Sequence, residues 1–288
     1  MPEDVRPVGL ENVSDVIRVM NESSQGMSFA SNLDFFAFLS LSRYWNFSFK
    51  HSLLRYVDGK AAAVVVNCTD SIAREAYTFY WGALPEFRGG RMSLRLFDLA
   101  CQRLREDGYV TLHGASVPDR PAARYRFIDA RTQRVFAEME CESPELPAAD
   151  GGLEVREIDI GLLSKIPLAP GEVQHWCQRV NFLRNGGPLF RFLGCYAGNE
   201  LKACAVDLPK SANTSLVDLR SAGDFAPAGN ALLHWLLAEN YRPPFLASYV
   251  FEDSYAWRLL GRAGFTVKHR FSTLSRDLLA TCPAPSAV

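Results

Sequence analysis

The sequence predicts a mixed α/β protein built as two similar units in tandem, residues 1–142 and 153–280, joined by a linker over 143–152. Three observations predict it. The order of strand, hairpin and helix signals runs twice along the chain: Val155 lies 150 residues after Val5, Tyr196 140 after Tyr56, and Ala226 138 after Arg88. An offset that drifts smoothly is what duplication followed by loop deletion leaves. In each half a β-prone run leads to a turn bearing Pro and Gly, and a helix with an apolar face follows. Between the halves, Glu142 to Gly152 is rich in Pro and Gly and lacks periodicity.

The first unit opens with a short strand, Val5-Arg6-Pro7-Val8. A helix follows with Val13, Val16, Ile17 and Met20 on one face. The segment from Phe29 to Phe49 carries eight aromatic residues (Phe29, Phe35, Phe36, Phe38, Tyr44, Trp45, Phe47, Phe49). It reads as core, as an apolar acceptor pocket or as an interface, and core packing is the simplest account because aromatic stripes usually bury. Asp58-Gly59 between Leu53–Val57 and Ala61–Asn67 signals a type I′ hairpin. The strand 76–84 enters a glycine turn, and the next helix directs Leu96, Phe97, Ala100, Cys101 and Leu104 inward before Gly108 stops it. A strand at Tyr109–Gly114, an Arg-rich helix around Pro121–Arg131 and a strand near Val135–Cys141 complete the unit.

The second unit repeats this order. Leu153–Glu157 is its first strand, the hairpin turns at Gly198-Asn199, and Ser215–Ser221 precedes the turn at Ala226–Ala231. An apolar helix at Leu232–Glu239 ends before Arg242-Pro243-Pro244. Phe245–Phe251 is the next strand. Ser254 caps a helix at Tyr255–Ala263, Gly264 ends it, and Phe265, Val267 and Phe271 lie along a closing strand.

Composition narrows the function classes. The 288 residues carry 48% hydrophobic and 22% charged side chains, which suits a folded protein with a substantial core. A formal net charge of −1 supplies no general drive toward nucleic acid or an anionic membrane. The seven cysteines are scattered with no Cys-x-x-Cys pair, which argues against a disulfide framework and a structural zinc. No metal is expected. The apolar-rich stretch Met27–Phe49 is broken by Asn32, Asp34, Arg43 and Asn46, so no membrane span is expected. Met-Pro-Glu-Asp-Val-Arg lacks the apolar core of a signal peptide, and the expected location is the cytoplasm.

The most informative stretch runs from Trp81 to Arg95. Tyr77–Trp81 is β-prone, Pro85 follows, and the pair Gly89-Gly90 sits between Arg88 and Arg91 at the start of a helix. Backbone N–H groups of such a turn, continued by the first N–H groups of a helix, make a concave anion site. Arginines beside it add bidentate phosphate contacts. The arrangement points to a cofactor bearing a pyrophosphate.

These residues resemble the GNAT superfamily of acyl-CoA N-acyltransferases. The family signature Arg/Gln-x-x-Gly-x-Gly/Ala, often preceded by Pro-x-x, is similar to Pro85-Glu86-Phe87-Arg88-Gly89-Gly90-Arg91-Met92-Ser93, which departs from it at Arg91 and Ser93. Gly229 and Ala231 match the end of the pattern in the second unit, where Ala226 replaces the Arg/Gln. A later family signature, Asn-x-x-Ala-x-x-Leu-Tyr-x-x-x-Gly-Phe, is similar to Asp253–Phe265, with Leu260 where the proton-donating tyrosine stands. In the first unit Asp119–Tyr125 is a looser copy, with Tyr125 within one residue of the tyrosine position.

The resemblance implies a central, mostly antiparallel sheet in each unit with one splayed strand pair flanked by helices. It implies direct attack of a primary amine on acetyl-CoA (coenzyme A). The cofactor residues are then Ala83, Leu84, Phe87, Arg88, Gly89, Gly90, Arg91, Met92 and Ser93, and the carbonyl-polarising N–H groups lie near Ala83–Leu84 or Leu219–Ser221. Glu75 and His113 are candidates for the base, and Tyr125 for the acid that returns a proton to the thiolate. Asp218, Glu252, Asp253 and Tyr255 are the second unit's titratable groups. The first unit is favoured for cofactor binding. The expected acceptor is a small molecule, amino acid or peptide amine, and a homodimer is left open. The competing reading is a non-catalytic module that keeps the fold to bind acyl-CoA or a partner protein, motivated by Arg91, Ala226 and Leu260.

Overall fold

Asp58 and Gly59 both adopt positive φ, 50° and 75°, as a type I′ turn requires. They join β2 (Leu53–Val57) to β3 (Lys60–Asp70), with Val57 opposite Lys60. This hairpin is the centre of the first of two compact units, Met1–Gln133 with Thr273–Val288, and Arg134–Ser272. The computed structural model describes residues 4–25, 32–88, 91–116, 131–148, 151–167, 175–209, 213–240 and 242–279.

Unit 1 contains β1 (Asp4–Pro7), α1 (Val13–Ser24), α2 (Phe35–Trp45), β4 (Glu75–Ala83), α3 (Met92–Glu106) and β5 (Thr111–Ser116). Its sheet runs β1-β2-β3-β4-β5, antiparallel up to β4 and parallel between β4 and β5. Strand alternation makes two cores. Val64 and Val66 join Val13, Val16, Met20 and Phe38 beneath α1 and α2. Ala63 and Val65 join Leu96, Phe97, Ala100 and Leu104 beneath α3. The aromatic segment follows the core reading: Phe38 is fully buried, and Trp45 and Phe47 pack on Phe79 with ring centroids 4.8 Å away. Phe35 and Phe36 are exposed.

Unit 2 contains most of β6 (Arg131–Cys141), then β7 (Leu153–Glu157), α4 (Val180–Gly186), β8 (Arg191–Ala197), β9 (Glu200–Asp207), β10 (Ser215–Ser221), α5 (Ala226–Asn240), β11 (Phe245–Phe251), α6 (Tyr255–Arg262) and the start of β12 (Thr266–Asp277). Its order is β12-β6-β11-β10-β9-β8-β7, with β10 and β11 parallel. One face is sealed by α5 and α6, where Leu232, Leu236, Leu259 and Leu260 meet Leu216, Leu219, Ala247 and Val250. A single turn of 3₁₀ helix, Trp176–Gln178, lies against β10.

The division of the chain differs from the expected boundaries. β6 precedes the linker, yet it pairs antiparallel with β11, with Ala137 opposite Val250 and Cys141 opposite Phe245. Residues from Thr273 onward belong to unit 1, where the Leu278 N–H donates to the Val110 carbonyl (2.9 Å). Strand pairing is non-local, so a linker-like composition does not mark where a sheet ends. The expected Arg-rich helix around Pro121–Arg131 falls outside the described residues up to 130.

Candidate functional site

In each unit the parallel strand pair is where the sheet opens. β4 and β5 stay in register from Glu75 opposite Thr111 to Thr78 opposite Gly114. On its other edge β4 carries a bulge: Tyr80 pairs with Val66 and Thr78 with Asn67, which leaves Phe79 as the extra residue. A bulge leaves one residue out of the ladder and turns two consecutive side chains to one face. Here Phe79 and Tyr80 both face α1 and α2. Phe79 packs on Trp45, and the Tyr80 hydroxyl bonds Ser23 Oγ (2.7 Å) and the Met20 carbonyl (3.2 Å).

Past the bulge the ladder resumes. The Leu84 N–H donates to the Ala62 carbonyl (2.9 Å), so it is not available to polarise a carbonyl, contrary to expectation. Antiparallel pairing alternates, so the Ala83 N–H and C=O point to the opposite, β5-facing edge. Arg88 confirms this direction: its Nε donates to the Ala83 carbonyl (3.3 Å) and its Nη2 to the Ser23 carbonyl (2.7 Å). Arg88 thus ties the end of β4 to α1, where a phosphate contact was expected.

The helix that follows starts with Arg91 at the N-cap and has no acidic residue in its first turn. The first N–H groups of a helix have no intrahelical acceptor, and its dipole is positive there. Met92 packs into the α3 core, and the Trp81 indole N–H donates to the Ser93 carbonyl (2.9 Å). That bond pins the first turn of α3 to β4. Phe87 is half-buried against the opposite core. Gly89, Gly90 and Tyr125 lie outside the described residues.

Glu75 and His113 are brought together. His113 Nε2 lies 3.1 Å from Glu75 Oε2, with the two side chains 20% and 26% exposed. Both face the α2 side, because Glu75 shares the parity of Tyr77, which stacks on Trp45 at 5.6 Å. His113 stands opposite Tyr77, two residues before Phe79 and six before Ala83. At strand rise those separations are about 7 Å and about 20 Å. Along the strand the pair therefore lies near the bulge and far from Ala83.

Unit 2 opens in the same place with different contents. β10 and β11 are in register only at Ser215–Leu246 and Leu216–Ala247. The register of β10 on β9 shifts after Leu216, and that of β11 on β6 shifts between Ala247 and Val250. Tyr249, inside the second shift, holds φ at 59°, a left-handed conformation that is costly for a bulky residue. The Gln178 carboxamide bridges the parted strands, donating to the Val217 (3.1 Å) and Tyr249 (3.3 Å) carbonyls. Asp218 and Arg220, both 7% exposed, pair through Arg220 Nε (2.6 Å), and Arg220 Nη2 donates to the Gln178 carbonyl (3.0 Å). A shallow cleft opens around them, lined also by Val217, Ser248, Tyr249 and Ser254.

The turn expected at Ala226–Ala231 is instead the beginning of α5, which runs from Ala226, and Gly229 within it has a packing explanation. A methyl group on Gly229 would strike the Tyr255 hydroxyl and come within 2.6 Å of Leu259 Cδ2. Tyr255 Oη donates to the Phe225 carbonyl at the start of α5 (3.2 Å). Gly229 is small so that α6 can approach α5. Leu260, at the family's tyrosine position, is fully buried core. Glu252 pairs with Arg270 (2.8 Å) and Asp253 with Arg134 (3.1 Å), both as surface ion pairs. Among the described residues no helix is long and apolar enough to cross a membrane, and no His, Cys, Asp and Glu group is placed to hold a metal ion.

No protein-family model and no curated protein matches the sequence. Solved structures do match over nearly the whole chain. A GCN5-related N-acetyltransferase from Sphaerobacter thermophilus is 14% identical with a TM-score of 0.68, over 96% of each chain. A tandem GNAT protein from the clavulanic acid biosynthesis pathway is 12% identical with a TM-score of 0.69, over 98% of this chain and 100% of that one. A putative acetyltransferase from Pyrococcus horikoshii is 11% identical with a TM-score of 0.67, over 96% and 89%. The chain has the tandem GNAT fold.

Proposed function

We propose that the chain is an acyl-CoA-dependent N-acyltransferase, working in unit 1, that moves an acetyl group from acetyl-CoA to a primary amine of a small molecule, amino acid or peptide. The observation that carries it is the bulge at Phe79. It lies where β4 and β5 part, about 7 Å from the Glu75–His113 pair, on the strand that leads to α3. The first turn of α3 suits a pyrophosphate: the leading N–H groups of a helix have no acceptor within it, no acidic residue lies there, and Arg91 and Arg95 stand at its start.

Bound acetyl-CoA supplies the acyl group as a thioester. The rest falls to the chain. The backbone at Phe79, left out of the β3 register, is the group assigned to stabilise developing negative charge on a carbonyl oxygen. Glu75 holds the His113 ring, and His113 accepts the proton of the attacking amine through a water. Tyr125 is the acid implied by the family resemblance. The buried ring of Trp45, stacked on Tyr77, borders the same face.

Isothermal titration with acetyl-CoA, followed by thiol-release assays over a panel of amines, tests the proposal. One equivalent should bind, and one chemical class of amine should release thiol. No affinity for acetyl-CoA would end the reading. Binding with no turnover on any amine would favour the alternative, a module that holds acyl-CoA or a partner without catalysis. The structural use of Arg88 and of the Leu84 N–H is the observation on that side.

A further inference from the structure

Unit 1 carries a second group of reactive side chains, away from the start of α3. From the unbroken hydrogen-bonded chain Ser48–His51–Asp107, we infer that Ser48 is a nucleophile with His51 as its base, forming a hydrolytic site for small, activated carboxylic esters.

Ser48 precedes a single 3₁₀ turn, Phe49–His51, which leads into β2. Its Oγ lies 2.6 Å from His51 Nδ1, and His51 Nε2 lies 2.6 Å from Oδ2 of Asp107, the C-cap of α3. α3 is 15 residues long, so roughly 22 Å separates Asp107 from the first turn of that helix. The site therefore does not rest on the acyl-CoA reading.

The protons of the chain can be placed. Bonds from Lys50 (2.5 Å) and His51 hold the Asp107 carboxyl below its ordinary 3.8, so it is ionised and only accepts. The His51 proton is then on Nε2, facing Asp107. Burial holds the ring below 6.5, so at neutral pH it is uncharged and Nδ1 presents a lone pair. The Ser48 hydroxyl is left to donate to it. A hydroxyl that donates to a neutral imidazole, itself oriented by a carboxylate, is an activated nucleophile. The negative end of the α3 dipole, beside Asp107, favours the imidazolium that forms.

The backbone holds these groups in place. The Ser48 N–H donates to the Asn67 carbonyl (2.8 Å), and the Ser48 carbonyl accepts from Ser52 Oγ (2.8 Å) and the His51 N–H (3.1 Å). The His51 carbonyl accepts from Asn67 Nδ2 (2.8 Å), and Tyr109 meets the His51 ring edge-on at 5.3 Å. His51 is 4% exposed and Ser48 is half-buried, so the base is shielded while the hydroxyl is reachable. A half-buried hydroxyl in a short turn admits a small acyl group.

In the reaction Ser48 Oγ bonds to the ester carbonyl carbon while its proton passes to His51 Nδ1. The bond to the leaving oxygen breaks, and the alcohol departs with that proton. Water then attacks the acyl-serine and gives a proton to Nδ1. The carboxylic acid leaves as that proton returns to Ser48 Oγ.

A fluorophosphonate and p-nitrophenyl acetate, applied to the full chain, test the inference. Mass spectrometry should locate a phosphonyl adduct on Ser48, formed with loss of fluoride, and the acetate ester should release p-nitrophenol. Both rates should rise with pH and level off below pH 6.5, once His51 has lost its proton. The other groups facing that ring are Lys50, Asp107 and Arg103 of α3, and Tyr109, and none of them changes charge between about pH 5 and 8. His51→Asn and Asp107→Asn should each slow phosphonylation about 10²-fold or more. If either variant fails to fold, the adduct site and the pH profile of the parent carry the test. No adduct on Ser48, or one whose rate ignores both pH and the substitutions, would overturn the inference.

Discussion

The two openings occupy the same place in their units and are filled in opposite ways. In unit 1 the bulge residue is left out of the ladder, a Glu–His pair stands near it on the same opening, and the next helix begins among arginines. In unit 2 the parted strands are bridged by Gln178, the charged pair is buried and self-satisfied, and the next helix begins with a proline and no cation. The comparison teaches that one fold supplies the cleft twice, while side chains from outside the parallel pair decide whether it stays open. Asp218 and Glu75 show it best. Both are carboxylates on the opening strand, yet Asp218 is held by Arg220 at 7% exposure and Glu75 faces a histidine at 26%.

Four measurements would break or sharpen this contrast. Replacing Glu75 by Gln, or His113 by Asn, should lower the acyl-transfer rate by about 10²–10⁴-fold with acetyl-CoA affinity unchanged, as loss of a general base does. Equal losses in affinity and melting temperature would assign the pair to structure instead. Asp218→Asn should act the other way, costing about 3–5 kcal/mol of stability in denaturant unfolding while the rate per folded molecule is kept. If that variant were stable but inactive, the division of labour drawn between the units would be reversed. Gly229→Ala should cost about 1–3 kcal/mol through overpacking against Tyr255 and Leu259. Adding Tyr255→Phe should recover part of it, and a neutral Gly229→Ala would remove the packing account of Gly229.

The smallest effect is a difference in sign with pH. In unit 1, burial holds His51 below the ordinary imidazole value of 6.5, and bonds from Lys50 and His51 lower Asp107. As pH falls below 6.5 the unfolded chain takes up these protons first, so unit 1 loses stability. In unit 2, burial raises Glu138 above 4.5 against the pull of His269 and Lys268, and burial raises Asp207 although Arg191 opposes it. There the folded state takes up protons first, so unit 2 gains relative stability over the same descent. Hydrogen exchange at neutral pH and at about pH 5, corrected for intrinsic rates, should show protection in β3 falling relative to β9. Parallel loss in both strands would refute the assignment.

Much of this was legible in the chain. The inward face of α3 follows from its spacing, and every residue expected there is buried. Asp58-Gly59, Ser254 and Gly264 act through backbone geometry that one or two residues determine. Glu75 and His113 are recognisable as candidates because their strands are. The bulge at Phe79 is not legible, since a run of five residues from Tyr77 to Trp81 has the same composition with or without an extra residue in the ladder. Gln178 gave no signal at all. A lone glutamine near a tryptophan acquires meaning only when β10 and β11 separate beneath it. Arg88 misled for the related reason that a charged side chain beside a glycine turn can be claimed by nearby carbonyls.

By itself the sequence determined the local elements and the duplication, because periodicity, caps and turns depend on residues within a few positions of one another. Only the tertiary structure decided where the units divide, which N–H groups face the opening, and which cleft is closed by its own side chain. Those depend on strand register and on groups that meet across 39 to 122 positions of chain, as Gln178 meets Val217 and Cys141 meets Ala263. Such meetings follow from how the sheets assemble and leave no local pattern.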